Sequence, residues 1–150
     1  MIGFDTNILV YAQIDTDSEK HLKAINLLYE ASASDACIPV QVLGEFLNVC
    51  LRKLNTAPAD AVEQVEEYCR LFIVPPTNEV DLVKAADLCV KHKLQFFDAL
   101  VITVTARAGA TILLSEDMHD GLEIEGLRIV NPFVVANETL LADYFGSALS

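Results

Sequence analysis

Acidic side chains recur in this chain next to strongly apolar segments. Asp5 follows the apolar opening at residues 2–4, and Asp117 comes shortly after an apolar run at residues 111–114. Asp98 stands where a long, nearly uniformly apolar stretch begins. Carboxylates gathered in one place can hold Mg²⁺ or Mn²⁺, and a pair of such ions can hydrolyse a phosphodiester. These residue types therefore predict metal-dependent hydrolysis, provided that the fold brings them together.

Each acid also has an ordinary structural explanation when it is considered alone. Asp5 and Asp98 can cap the helices that follow them, and Asp117 can belong to a turn together with Asp120. Glu45 lies in a polar helical stripe, so it can be a solvated residue. The members of that stripe are Gln41, Glu45, Asn48 and Arg52. The site hypothesis depends on the acids converging. If they do converge, they need cations to remain ionised, because like charges close together repel one another.

Predicted strands and helices alternate along the chain. The strands are predicted over residues 2–4, 36–38, 71–74, 111–114 and 127–130. The helices are predicted over residues 8–12, 19–33, 40–53, 58–70, 79–93, 98–108 and 138–145. Such alternation indicates right-handed crossovers and a mostly parallel sheet, whose ligands bind beyond the carboxyl ends of the strands. That arrangement predicts that Asp5, Asp98 and Asp117 converge at one edge, with Glu45 reaching them from its helix.

Capping and periodicity give finer predictions about the helices. Thr6 or Asn7 is predicted to cap the first helix, and Asp17 or Ser18 the second. Apolar spacing predicts the buried faces of two helices. In helix 19–33 this face comprises Leu22, Ala24, Ile25, Leu28 and Tyr29, with Glu19, Lys20 and Lys23 in solvent. In helix 79–93 it comprises Val80, Val83, Ala86, Leu88 and Val90.

The bulk properties indicate one domain over residues 1–150 with a substantial core. The chain is 53% hydrophobic with a mean hydropathy of +0.37, yet no run reaches the ~18 apolar residues of a membrane span. The start does not resemble a signal peptide, so a cytoplasmic location is predicted. The cysteines are predicted to be buried free thiols, and their spacing does not suit a zinc site. They are Cys37, Cys50, Cys69 and Cys89.

The net charge of −12 is unusual for a protein that would bind nucleic acid. Broad neutralisation of phosphates requires a basic surface, which this chain does not have. The acidity is compatible with a solvated surface, with carboxylates that hold cations, or with a basic protein partner. A polyanionic substrate would therefore be restricted, or recognised largely through bound metal.

Ordered motifs along the chain resemble those of PIN-domain ribonucleases, and most of all the toxins of VapBC-type toxin–antitoxin pairs. The first three motifs are Asp5-Thr6-Asn7, residues 41–46 around Glu45, and Phe97-Asp98-Ala99. The fourth motif covers residues 114–121 and contains Asp117. The segment at residues 126–133 also resembles the corresponding segment of that family. The resemblance extends over nearly the whole chain.

The resemblance implies a three-layer α/β/α domain with a central, mostly parallel sheet. It implies that Asp5, Glu45, Asp98 and Asp117 form a metal-binding quartet that cleaves RNA with Mg²⁺ or Mn²⁺. Asn7 and Ser115 would be polar helpers, and Asp120 an auxiliary acid at the metal. It also implies a homodimer, with a small antitoxin protein that covers the site.

Two other enzyme or signalling classes fit the same residues less well. A phosphatase of the haloacid dehalogenase type needs an acid two residues after the first Asp, where this chain has Asn7. A phosphorylated receiver domain needs adjacent acids after the first strand and a Lys after the last, and neither is present. A non-catalytic module that binds metal or a partner stays open, as does the choice between a toxin and a housekeeping nuclease.

Overall fold

The computed structural model describes residues 1–14 and 18–149, with side chains as far as Gly146. A five-stranded sheet of order β2-β1-β3-β5-β4 forms its centre. Its strands are β1 (Ile2–Phe4), β2 (Ala36–Cys37), β3 (Ile112–Leu114), β4 (Glu123–Ile124) and β5 (Leu127–Val130). Its helices are α1 (Thr6–Gln13), α2 (Glu19–Ser32), α3 (Val40–Arg52), α4 (Pro58–Leu71), α5 (Glu79–His92), α6 (Phe96–Arg107) and α7 (Glu138–Leu149), with a short 3₁₀ turn at Val135–Asn137.

Parallel pairing brings the ends of β1 and β3 side by side. Ile2 pairs with Ile112 and Phe4 with Leu114, while β2 and β5 extend the parallel sheet on either side. Only β4, among the described strands, runs antiparallel, as a hairpin with β5. Both β1 and β3 are fully buried, which is typical of parallel strands covered by helices on both faces. The predicted three-layer α/β fold with a mostly parallel sheet is confirmed.

The predicted strand at residues 71–74 is wrong. Helix α4 continues through Leu71, and Ile73 forms one isolated bridge with Cys37. Ile73 accepts a hydrogen bond from Ile38 N and donates one to Ala36 O. The two prolines at positions 75 and 76 follow at once and lack the N–H groups that a longer ladder needs. The sequence also carried no prediction of β4, which is only two residues long.

The predicted buried faces of α2 and α5 are largely wrong. In α5, Val80, Val83 and Val90 are exposed, by 66%, 73% and 83%. The face that packs inward contains Asp81 and Ala85. Leu88, which is buried as predicted, completes that face. In α2 the buried residues are Ala24, Leu27, Leu28 and Ala31, and the exposed ones are Leu22, Ile25 and Tyr29.

The helix starts agree with the predictions only in part, since Ser18 caps α2 as predicted. Asp5, rather than Thr6 or Asn7, is the N-cap of α1, and it accepts a hydrogen bond from Thr6 N. Ser18 caps α2 by accepting from His21 N, and Asp17, the other candidate, lies outside the described residues. Helix α6 begins at Phe96, so Asp98 is already inside its first turn and caps nothing.

Two predictions from composition can be compared with the structure. Cys37 and Cys50 are buried as predicted, but Cys69 is exposed and Cys89 is partly exposed, so the prediction of four buried thiols is wrong. All four are free thiols. Among the described residues, no helix is both long enough and apolar enough to cross a membrane.

Candidate active site

Asp5 lies at the carboxyl end of β1 and is almost completely buried. One carboxylate oxygen, Oδ1, accepts the Thr6 N–H at 2.8 Å, and the other, Oδ2, accepts the Ser115 hydroxyl at 2.7 Å. Ser115 follows the neighbouring strand β3 and is itself fully buried. The parallel pairing of β1 with β3 is therefore what places these two side chains together. Both hydrogen bonds hold the carboxylate in one orientation at the edge of the sheet.

Glu45 reaches the same edge from α3. Its Oε2 accepts the Thr6 hydroxyl at 2.7 Å, and its Oε1 accepts Gln41 Nε2 at 2.8 Å. Gln41 lies one helical turn earlier on α3 and also donates to the backbone oxygen of Phe97, the neighbour of Asp98. Glu45 is thus a half-buried residue with fixed partners, and it is not the solvated side chain that its polar stripe alone allowed.

The pKa values show that the acids share one electrostatic environment. Burial raises the pKa of Asp5 from 3.8 to about 6, against the hydrogen bonds from Ser115 and Thr6, and the negative charges of Asp98 and Glu45 raise it further. Burial also raises the pKa of Asp98, and the charges of Glu45 and Asp117 add to the effect. The charges of Asp98 and Glu45 thus act on Asp5, and those of Glu45 and Asp117 act on Asp98, so the four predicted ligands lie close enough for their charges to interact.

The acids converge without closing into a preformed ion cage. Within the described part of the chain, no three His, Cys, Asp or Glu side chains stand close enough to hold an ion as they are. The donors nonetheless suit Mg²⁺ or Mn²⁺, because they are all oxygens. Burial raises the pKa values of Asp5 and Asp98, and the mutual repulsion of the acids raises them further. A divalent cation would remove that repulsion. Asp117 is the exposed member of the set.

Asp120 has hydrogen-bond partners that the other acids do not share. Its Oδ1 accepts the backbone N–H of Asn131 at 2.8 Å and the side chain of Asn137 at 3.0 Å. Asn137 also donates to the backbone oxygen of Asn131, so these contacts join the loop after β3 to the segment after β5. Through Oδ1, Asp120 is part of a structural hydrogen-bond network, and its predicted place at the metal stays a prediction.

Asn7, the second predicted helper, lies at the first turn of α1 beside the acids. Its Oδ1 accepts the backbone N–H of Glu116 at 3.4 Å. Its buried Nδ2 has no hydrogen-bond partner among the described residues. Because an unsatisfied buried donor is costly, this amide is an unusual feature of the site. Asn7 thus contacts the backbone of Glu116, and the Ser115 hydroxyl accepts the N–H of Met118 in the same loop.

A second network beside the acids was not predicted. Glu116 accepts the Tyr11 hydroxyl at 2.6 Å and the Lys20 ammonium at 2.5 Å. The Lys20 nitrogen also lies 5.1 Å from the ring centre of Tyr11 and 5.4 Å from that of Phe133. The ion pair keeps the pKa of Glu116 below its usual value although burial alone would raise it. Lys20 was predicted to be a plain surface residue. Its contacts with Glu116 and with Tyr11 of α1 show that it is part of this network.

Thr6 and Gln41 are further site residues that the sequence did not single out. Thr6 was considered only as a helix cap, although it stands between two predicted site residues. Gln41 was recognised as a member of the same polar stripe as Glu45, one turn away. The available signal for both residues was that each lies close in sequence to a predicted site residue. The hydrogen bond from Gln41 lies within α3, one turn before Glu45. The hydrogen bond from Thr6 joins two helices and depends on the packing of α1 against α3.

Comparisons with known proteins give a consistent assignment of fold. The family model of the PIN domain matches residues 2–119. Among solved structures, a toxin–antitoxin complex from Klebsiella pneumoniae superposes with a TM-score of 0.66 at 18% identity, covering 90% of this chain and 100% of that chain. A search of curated proteins found no match.

Two further structures share the fold. The Mycobacterium tuberculosis toxin VapC20, described as cleaving the sarcin–ricin loop, has a TM-score of 0.62 at 19% identity, covering 78% of this chain and 90% of that chain. The FitAB complex, described as bound to a DNA fragment, has a TM-score of 0.64 at 14% identity, covering 90% of this chain and 97% of that chain.

Proposed function

Because the chain belongs to the PIN domain family, we propose that it is a metal-dependent endoribonuclease and the toxin of a toxin–antitoxin pair. The observation that carries the proposal is the convergence of Asp5, Glu45, Asp98 and Asp117 at the carboxyl edge of the sheet. Their charges act on one another there, and burial together with these charges raises the pKa of Asp5 to about 6.

The four acids are the residues that would hold Mg²⁺ or Mn²⁺. Bound there, the cations would activate a water for attack on the phosphodiester and stabilise the leaving oxygen. Ser115 and the Thr6 N–H orient Asp5, while the Thr6 hydroxyl and Gln41 orient Glu45. Asp120 has a structural role in this proposal, because Asn131 and Asn137 already occupy its Oδ1 oxygen.

The test is cleavage of a labelled RNA pool by the purified protein in Mg²⁺, Mn²⁺ or EDTA. We expect cutting with either metal and none in EDTA. Asp98→Asn should lower the rate at least ~100-fold, since even residues that only support metal ligands are worth 10- to 100-fold. Asp87→Asn on α5, where Asp87 pairs with Lys91, is the matched control and should cut like the wild type. Circular dichroism checks that each variant is folded.

Two outcomes would overturn the catalytic proposal. Equal cutting by the wild type and Asp98→Asn would exclude Asp98 from the mechanism or reveal a contaminating nuclease. Metal binding measured by calorimetry without any cutting of the pool, or of a cellular RNA extract, would favour a non-catalytic module that binds metal or a partner.

The proposed partners are a small antitoxin and a second copy of the chain in the cytoplasm. The net charge of −12 suits an antitoxin with a basic segment. The exposed valines of α5 offer apolar surface that a homodimer could bury. Co-expression with the product of the adjacent gene should yield a stable complex that no longer cuts RNA. Recovery of the chain alone, and a monomer by sedimentation, would contradict these assignments.

A further inference from the structure

A cleft of about 600 Å³ opens between α1 and α3 next to the acids. Glu45 and Asp117 form part of its lining, and so does Lys53, which directly follows α3. Val10 and Val49 contribute apolar wall. A cavity of this volume is large enough for a nucleotide, since small-molecule pockets measure roughly 300–1,000 Å³.

Lys53 supplies the positive charge in the lining of this cleft. It forms no ion pair with any residue that the structure describes, and it is exposed. Lys20, the cation at the nearby rim, is already paired with Glu116. Among the described residues that line the cleft, Lys53 is the only cation. A phosphate is the natural partner for such an ammonium group.

The spacing along α3 separates Lys53 from the acids. Lys53 follows Glu45 by two helical turns, which corresponds to about 12 Å along a helix axis. A phosphate bound by Lys53 can therefore be a neighbour of the one hydrolysed at the acids. A polymer cut at the acids must continue away from them, and the cleft begins where Glu45 and Asp117 stand.

We propose that the cleft between α1 and α3 binds the nucleotide that adjoins the cleaved bond, with Lys53 Nζ holding its phosphate. The sugar and base lie against Val10 and Val49, and the Asn48 amide, which also lines the cleft, can bond to the ribose. This inference rests on the proposed ribonuclease activity. It names Lys53 as a substrate-binding residue that acts outside the acidic group.

The test compares Lys53→Gln with a matched control, Lys84→Gln. Lys84 pairs with Glu125 in the turn before β5, at the edge of the sheet opposite the acids. Steady-state cleavage should show a three- to tenfold higher KM for Lys53→Gln, with the loss appearing in KM rather than kcat. Lys53→Arg, which keeps the charge, should restore most of the KM. Lys84→Gln should resemble the wild type.

A binding measurement separates this inference from the proposed activity. Asp98→Asn protein, with and without Lys53→Gln, is titrated with a fluorescein-labelled random ten-nucleotide single-stranded RNA over a range of salt concentrations. Loss of one phosphate contact should lower the slope of log affinity against log salt by ~0.7. That result supports the cleft even if the wild type cuts no RNA, which would defeat only the proposed activity.

Three results would overturn the inference. One is a KM and salt slope for Lys53→Gln equal to those of Lys84→Gln. Another is no binding of the labelled RNA by the Asp98→Asn protein. The third is unchanged RNA binding by Lys53→Gln together with weaker binding of the co-expressed small partner, which would assign the cleft to a protein ligand.

Discussion

Asp5 combines two functions that the sequence had presented as alternatives. It caps α1 through Oδ1, and it also faces Asp98 and Glu45 in the acidic group. Capping explains why the residue is an Asp at a helix start, but it does not explain the burial that raises the pKa of Asp5 to about 6. Ionising this buried carboxylate without a cation costs free energy, and that cost distinguishes Asp5 from an ordinary helix cap.

The raised pKa of Asp5 predicts how the metal-free protein responds to pH. A native pKa above the unfolded value stabilises the fold at pH values below about 4, and this contribution disappears as pH rises through about 6. Between these limits, in EDTA, the free energy of unfolding should fall by up to about 3 kcal/mol. Urea denaturation at a series of pH values measures it, and saturating Mg²⁺ should remove the decline.

Asp5→Asn is the control for this prediction. The Asn side chain can still accept the Thr6 N–H, but it does not titrate, so most of the decline should vanish. Part of it should persist because the pKa of Asp98 is raised in the same direction. A flat profile for the wild type in EDTA would contradict the burial argument.

At the scale of elements, α5 shows how one ion pair selects the buried face of a helix. Asp81 in its first turn is 2% exposed and accepts two hydrogen bonds from Arg107 of α6, at 2.9 Å to Nε and 2.8 Å to Nη2. Asp81 also completes a capping box with Asn78. The small side chain of Ala85 lies on the same buried face. The valines of α5 are consequently turned toward solvent.

Breaking this pair should destabilise the protein. Arg107 lowers the pKa of Asp81, so the pair stabilises the fold above the unfolded pKa and loses effect as pH falls through the native pKa. Arg107→Met leaves a buried carboxylate without its cation and should cost about 1–3 kcal/mol at pH 7, less than a fully buried pair because the Arg side chain is partly exposed. Chemical denaturation gives the value.

The double variant Asp81→Asn/Arg107→Met tests the cause. An amide in place of the Asp81 carboxylate would be neutral and could still accept the Asn78 N–H, so the double variant should be more stable than Arg107→Met alone. A cost below about 0.5 kcal/mol for Arg107→Met, which is within the range of ordinary surface substitutions, would show that the pair does not hold α5.

For the whole molecule, the contact between β1 and α6 affects the distance between Asp5, which follows β1, and Asp98 in the first turn of α6. A β-carbon built on Gly3 would lie 2.5 Å from Thr105 Cγ2 and 3.4 Å from Cys37 Sγ. Gly3 therefore allows α6 to pack directly on the sheet. Because β1 ends at Asp5 and Asp98 stands at the head of α6, this packing decides how close the two acids come.

Gly3→Ala should force α6 away from the sheet and cost about 1–3 kcal/mol. Adding Thr105→Ser removes the opposing methyl group and should recover part of that loss, as a double-mutant cycle measured by thermal or urea unfolding would show. Thr105→Val is the matched control, since it keeps the methyl group and gives no relief. Additive effects in the cycle with Ser would contradict the steric explanation.

Thr105→Val by itself should be neutral or slightly stabilising. The Thr105 hydroxyl is buried and has no hydrogen-bond partner among the described residues, so removing it breaks no hydrogen bond.

RNA cleavage by Gly3→Ala should fall along with stability, since Asp98 would move relative to Asp5.

Most of the order of elements could be predicted from the sequence, except for the strand at residues 71–74, which is absent, and β4, which was missed. Apolar strands ending in acids, as at Asp5, are local patterns, and parallel topology requires their ends to meet at one edge. The resemblance then named Asp5, Glu45, Asp98 and Asp117 as a metal-binding quartet. Their charges act on one another in the structure, and their role as metal ligands stays a prediction. The sequence could not decide whether Asp98 caps α6 or belongs to the site. Helix α6 starts at Phe96 without a side-chain cap, so its start depends on packing rather than on a capping residue.

Only the tertiary structure decided which helix face is buried and which polar residues meet. Periodicity shows that α5 has apolar positions, but the Asp81–Arg107 pair across two helices determines the side that faces inward. The partners of Lys20 and Asp120 likewise come from distant segments. The cleft that contains Lys53 exists only because α1 packs against α3. Contacts between remote parts of the chain leave no periodic or local signal, since each depends on how whole elements are oriented against one another.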